Sequence, residues 1–210
     1  VPLNFRSAQS YPLERSIPMK HFKWICLLSL VVAVLGTSIG CRESGSGDND
    51  QLVIAVIPKG TTHEFWQSIK AGAEKAGEEY DVEIRWQGPL REDNRAEQIK
   101  VVETMTLRGV DGIVLAPLDE SALQRPVESA VKGGTPVVII DSALQGDDFS
   151  SFIATDNYKG GELAARSLAE STGETGTVLV IRYQEGSAST MNREQGFIDV
   201  MKAEYPNMTV

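Results

Sequence analysis

Four short stretches of this chain hold the residue types best suited to gripping a small polar molecule. The first is Pro58-Lys59-Gly60-Thr61-Thr62-His63-Glu64-Phe65-Trp66, with an imidazole and two adjacent aromatic rings. Adjacent helical residues point about 100° apart, so the two rings cannot enter the same core seam. Either one ring faces a pocket, or Phe65 packs in the core while Trp66 only covers the loop. The second stretch is Asp141-Ser142, directly after Val137-Val138-Ile139-Ile140. A carboxylate at that tip accepts hydrogen bonds from two neighbouring ligand hydroxyls, or it makes a turn or cap. The third is Thr155-Asp156-Asn157, where Asp and Asn serve equally well as helix caps. The fourth places Arg193 in the first turn of a helix, where a cation opposes the helix dipole and calls for a function or an acidic partner.

Catalysis lacks its parts. No Gly-x-Gly-x-x-Gly follows the first strand, no phosphate-cradling glycine loop with lysine is present, and no Ser or Cys sits on a nucleophile elbow. Asp141 has no acid or base partner evident in the sequence, so the chain is read as a non-enzyme. The two cysteines, Cys26 and Cys41, and the two histidines, His21 and His63, supply neither a disulfide framework nor a metal cluster, and no cofactor is expected. A formal net charge of -9 argues against nucleic acid, because gripping phosphates needs a basic surface.

Short apolar runs alternate with longer segments of helical period from Gln51 onward, and these elements must position the four stretches. Predicted strands are Leu52 to Ile57, Val82 to Trp86, Gly112 to Ala116, Pro136 to Ile140, Phe152 to Ala154 and Thr177 to Arg182, with a seventh beginning at Met208-Thr209-Val210. Predicted helices are Glu64 to Tyr80, Asn94 to Arg108, Pro126 to Lys132, Tyr158 to Glu170 and Thr190 to Glu204. Runs such as Val137 to Ile140 are apolar without alternation, as in parallel strands covered on both faces. The fold class is α/β with a parallel, doubly wound sheet, in which ligands bind outside the carboxyl ends of the strands.

The N-terminus reads as an address. Met19-Lys20-His21-Phe22-Lys23 is a basic start, Trp24 to Gly36 a mostly apolar run, and Thr37-Ser38-Ile39-Gly40-Cys41 a small-residue end, the pattern of a secretory signal. The apolar run falls short of the roughly 20 residues a membrane span needs. Residues 1–18 read as a non-native extension, 19–41 as the signal, and 42–50 as a flexible polar tether.

Taken in order, these motifs resemble the type I periplasmic binding proteins, in the ribose-binding branch shared with the lactose-repressor family. The landmarks are His63-Glu64-Phe65-Trp66, Gly109-Val110-Asp111-Gly112-Ile113, Thr135-Pro136-Val137-Val138 leading to Asp141, Ile153-Ala154-Thr155-Asp156-Asn157 with Gly160-Gly161, and Arg193-Glu194-Gln195-Gly196-Phe197. The resemblance implies a ligand site of Phe65, Trp66, Asp141 and Arg193, with His63, Ser142 and Asn157 as secondary contacts. It implies a sugar or polyol ligand, the permease of an ABC importer as partner, and a place in the periplasm or cell envelope. Cys41 resembles the lipobox cysteine, which implies a lipid anchor to the membrane, although Ser38 stands where leucine is usual. Ser142 replaces an Arg, and Ala116 an Asn, that ribose binders often carry, so the ligand need not be ribose. The resemblance further implies a first lobe over 51–157 and an incomplete second lobe over 158–210, with much apolar surface uncovered and poor binding by the fragment alone. A ligand-sensing ectodomain and a sugar-responsive transcription regulator share this core; the regulator would need a helix-turn-helix module where this chain has its signal and tether.

Overall fold

The computed structural model describes residues 51–210. The expected extension, signal, tether and lipidation site at Cys41 all lie outside the described residues.

Five parallel strands form the main sheet: β1 Val53–Ile57, β2 Glu83–Trp86, β3 Gly112–Leu115, β4 Val137–Ile140 and β5 Ser151–Ile153, in spatial order β2-β1-β3-β4-β5. Between them run α1 Glu64–Tyr80, α2 Arg95–Leu107 and α3 Gln124–Lys132. Side-chain alternation along the strands sorts the apolar residues to two faces. Ala55, Ile57, Ile113, Leu115, Val137 and Ile139 pack with Val101, Val102 and Met105 of α2 and Val127 and Ala130 of α3. Leu115 and Ile139 are fully buried, and each stabilises the fold by about 1.5–3 kcal/mol relative to exposure. On the opposite face Ile54, Val56, Val114 and Ile140 share an apolar cleft of about 430 Å3 with Ile69, Ala73 and Ala76 of α1. The sheet is therefore covered on both sides, while Phe152 and Ile153 of β5 stand exposed at its edge.

Helix α1 occupies the predicted span. The His63 imidazole accepts from the Phe65 amide at its start, and Asp81 ends it in the left-handed region at φ 53°. α2 is capped by Asn94, whose side chain accepts from the Glu97 amide. Its buried Gln98 donates from Nε2 to the carbonyls of Pro58 at 3.0 Å and Ala116 at 2.8 Å, and accepts from the Leu118 amide at 2.8 Å. One amide side chain thus fastens the segments leaving β1 and β3, where the sheet presents its carboxyl ends.

Beyond β5 come α4 Asn157–Thr172, β6 Gly176–Thr177, α5 Ala188–Glu204 and β7 Met208–Thr209, with β6 and β7 parallel in a separate sheet. These are the two helices and two strands predicted for this region, with shifted bounds. Ala165, Ala169, Val200, Met201 and Met208 form its core. α4 and α5 cross at two glycines: a Cβ on Gly161 would lie 2.0 Å from the Arg193 carbonyl oxygen, and one on Gly196 would lie 2.2 Å from that of Tyr158. Such distances exclude any side chain at either position.

The strand predicted over Thr177 to Arg182 is paired only at Gly176–Thr177, plus one bond from the Val178 amide to the Thr209 carbonyl. Leu179 and Ile181 stand 84% and 83% exposed. A strand forms only where a neighbour supplies partners, and β7 offers two residues. α5 starts at Ala188, which moves Arg193 from the first turn to the second and weakens the dipole argument for it.

Candidate functional site

The carboxyl ends of β1 and β4 and the first turns of α5 surround a cleft of about 400 Å3. His63, Phe65, Trp66, Asp141 and Arg193 all line it, so five of the seven expected site residues converge. Ser142 and Asn157 lie behind the lining.

The aromatic pair is arranged opposite to the simple packing alternative. Trp66 is 2% exposed while Phe65 is 47% exposed. Their rings meet edge to face, with centroids 4.9 Å apart and planes at 80°, a favourable quadrupole geometry. The Trp66 indole Nε1 donates to Glu92 Oε1 at 2.7 Å, satisfying the one polar atom of a buried ring. Partial desolvation and the nearby Glu92 carboxylate push the Tyr183 phenol above its ordinary value, although the residue as a whole is exposed.

Asp141 follows β4 in the left-handed region at φ 64°, a conformation that Asp and Asn tolerate better than most residues. Its Oδ2 pairs with the Lys59 ammonium at 2.8 Å. Lys59 is itself 4% exposed and donates to Ser187 Oγ and Ser189 Oγ, both at 3.0 Å. Ser142 is fully buried and its Oγ accepts from the Ser189 amide at 3.0 Å, so it ties the β4 tip to α5. Asn157 reaches the Asp141 carbonyl only at 3.5 Å, and its buried Oδ1 has no partner among the described residues. Asp156 caps α4 by accepting from the Lys159 amide at 2.9 Å. The Arg193 guanidinium makes no ion pair among the described residues, in contrast to Arg166 and Arg182 on the same two helices and their approach.

Asp119, in the segment after β3, is a second buried carboxylate at the edge of this region. Desolvation pushes its carboxyl up, but bonds from the Ala122 amide, the Ser121 hydroxyl and amide, and the Arg95 guanidinium outweigh it and hold it below the ordinary value. Gly186, at φ 86°, lies so close that a Cβ would sit 2.2 Å from Asp119 Oδ2. The Gly186 carbonyl accepts from the Glu120 amide at 2.9 Å.

Sequence reasoning passed over Lys59, Glu92, Tyr183, Gln184, Ser187, Ser189 and Thr190, which complete the polar lining. Lys59 was within reach of the strand-end rule, since it stands two residues past Ile57. Among the described residues no group of three or more His, Cys, Asp or Glu is placed to hold a metal ion. The arrangement offers ring surface, a carboxylate and a guanidinium around one volume.

Residues 54–210 match the family model described as the periplasmic binding protein domain. The ribose import binding protein of Bacillus subtilis is 30% identical over 159 residues, covering 76% of this chain and 52% of that protein. The D-ribose/D-allose-binding protein of Pseudomonas aeruginosa is 32% identical over 161 residues, covering 71% of this chain and 50% of that protein. The chain thus spans about half the length of these curated relatives. Among solved structures, a carbohydrate transporter solute binding protein of Agrobacterium radiobacter in complex with D-arabinose superposes with a TM-score of 0.73 at 35% identity, covering 76% of this chain and 56% of that one. An ABC transporter solute binding protein of Agrobacterium vitis with bound D-fucose gives 0.72 at 39% identity, covering 75% and 55%. The family match covers most of the chain and the solved structures superpose on it, and the chain belongs to the periplasmic binding protein domain family.

Proposed function

We propose that the whole protein captures a monosaccharide or similar polyol outside the cytoplasm and passes it to the permease of an ABC importer, without catalysing a reaction. The observation that carries this reading is the convergence of Phe65, Trp66, Asp141 and Arg193 on one cleft of about 400 Å3. An aromatic ring accommodates the apolar C–H face of a sugar, while charged groups in a desolvated cleft bond strongly to its hydroxyls. The volume falls within the range of small-molecule sites. Relatives named for ribose and allose, and neighbours bound to D-arabinose and D-fucose, point to the same ligand class.

In this reading Phe65, Trp66, Asp141 and Arg193 touch the ligand. His63 frames α1 and borders the cleft, Ser142 secures α5, and Asn157 stands behind Asp141. Residues 51–157 form the first lobe and 158–210 the start of the second. Cys41 anchors the protein to the membrane through lipid, with 42–50 as its tether.

Calorimetric titration of the whole protein against pentoses, hexoses and polyols is the test. A saturable heat with at least one of them is expected. Binding of an amino acid or a nucleoside alone would overturn the ligand class.

A further inference from the structure

A second cavity, of about 340 Å3, adjoins the main cleft. The two share His63, Glu92, Tyr183 and Gln184 along their border, and the second adds Thr62, Arg91 and Asp93. We propose that this second cavity is a subsite for a second sugar residue, so that the ligand is a disaccharide or comparable glycoside with only one ring in the main cleft. The inference rests on the sugar-binding reading above and extends its ligand beyond one ring.

Both walls of the cavity are anchored. On one side, Thr61 Oγ1 donates to the Pro89 carbonyl at 3.3 Å and Thr62 Oγ1 to the Leu90 carbonyl at 3.2 Å, which fastens the segment after β2 to the segment after β1. A Cβ on Gly88 would lie 2.9 Å from the Pro58 carbonyl oxygen, so these two segments approach as closely as bare backbone allows. On the other side, Glu194 of α5 accepts from Arg182 Nε at 2.7 Å and from the Tyr183 amide at 3.1 Å, which holds Tyr183 in place.

The chemistry of the lining selects the occupant. Every side chain around the cavity is polar, which gives an apolar substituent little surface to bury against. Arg91 is already paired with Asp93, and Glu92 adds a second carboxylate. Two carboxylates against one guanidinium disfavour an anionic group such as a phosphate or a uronate. A neutral group dense in hydroxyls fits, because hydroxyls accept from the guanidinium and donate to the carboxylates, and bonds to charged partners are the strong ones. The Tyr183 ring, 66% exposed, offers the flat face against which the C–H side of a second ring can lie. The border shared with the main cleft gives a glycosidic link its path from one cavity to the other.

The test is calorimetry of the whole protein with monosaccharides and with disaccharides built from them: glucose against maltose and cellobiose, galactose against melibiose and lactose, xylose against xylobiose. At least one disaccharide should bind about tenfold or more tighter than its component monosaccharides. Arg91 and Asp93 are 75% and 55% exposed in their side chains, so Arg91→Ala/Asp93→Ala removes the pair without disturbing the fold. That variant should weaken the disaccharide about tenfold and leave monosaccharide affinity as it was. Disaccharides that bind no better than their monosaccharides overturn the subsite while the sugar reading stands, and so does a disaccharide preference that survives in the variant. Binding of an amino acid or a nucleoside, with no sugar of either size bound, removes the sugar reading and the subsite together.

Discussion

Lys59 and Asp141 meet at 2.8 Å although they leave β1 and β4, strands separated in the sheet by β3. The pair bridges the carboxyl edge of the sheet, and its members are 5% and 21% exposed in their side chains.

Removing one partner of a buried pair leaves the other uncompensated, at about 3–5 kcal/mol. Asp141→Ala should reach that range, because alanine at φ 64° also adds left-handed strain of roughly 1–2 kcal/mol. Asp141→Asn keeps an acceptor for Lys59 and tolerates the same backbone, so it should lose sugar binding with a smaller fall in stability. Denaturant unfolding beside calorimetry separates the two, and equal destabilisation by Asn and Ala would remove the backbone argument.

The two aromatics should differ in how much stability they carry. Phe65→Ala, at a residue 47% exposed, is expected to change stability by less than about 1 kcal/mol and to weaken sugar binding clearly. Trp66→Ala is expected to cost about 3–5 kcal/mol, since it empties a buried ring site and strips Glu92 of its donor. Sugar affinity of Phe65→Ala equal to that of the parent would exclude its ring from the ligand contact.

Gln98→Leu should destabilise the protein by roughly 3 kcal/mol or more, because it orphans two buried carbonyls and one amide at about 1–3 kcal/mol each. The loss should appear as a lower denaturant midpoint with an unchanged slope. A change of less than about 1 kcal/mol would mean that water replaces all three bonds.

Asp119 predicts an acid-side dependence. Its folded carboxyl lies below the ordinary 3.8, so its stabilising contribution is present above that value and disappears as pH falls through the lower folded one. Asp119→Asn should therefore be less stable than the parent at neutral pH, and the gap should close on acidification below pH 3.8. A gap independent of pH would assign the effect to packing against Gly186 alone.

Local chemistry made much of this legible. α1 was readable from residue to residue, since its end residues and apolar spacing act within one helix. Buried parallel strands announced themselves as uninterrupted apolar runs, and Asp141 was found by its place at the tip of one. The run from Val178 to Ile181 carries the same signal, but pairing depends on a neighbouring strand, which composition does not encode. Lys59 stayed hidden for a related reason. A lysine in a loop reads as solvated, and its burial follows from Asp141, Ser187 and Ser189 arriving from distant parts of the chain. Arg193 lines the cleft, but its helical turn was misjudged, because the helix starts at Ala188 rather than Thr190.

The contact that seats α5 against Gly161 runs through the carbonyl of Arg193 itself. The cleft's guanidinium is therefore surveyed from behind by bare backbone, and its Cα cannot drift along α4 without collision. Exchanging the side chains around Arg193 would reshape the cleft with the helix that bears it left where it stands.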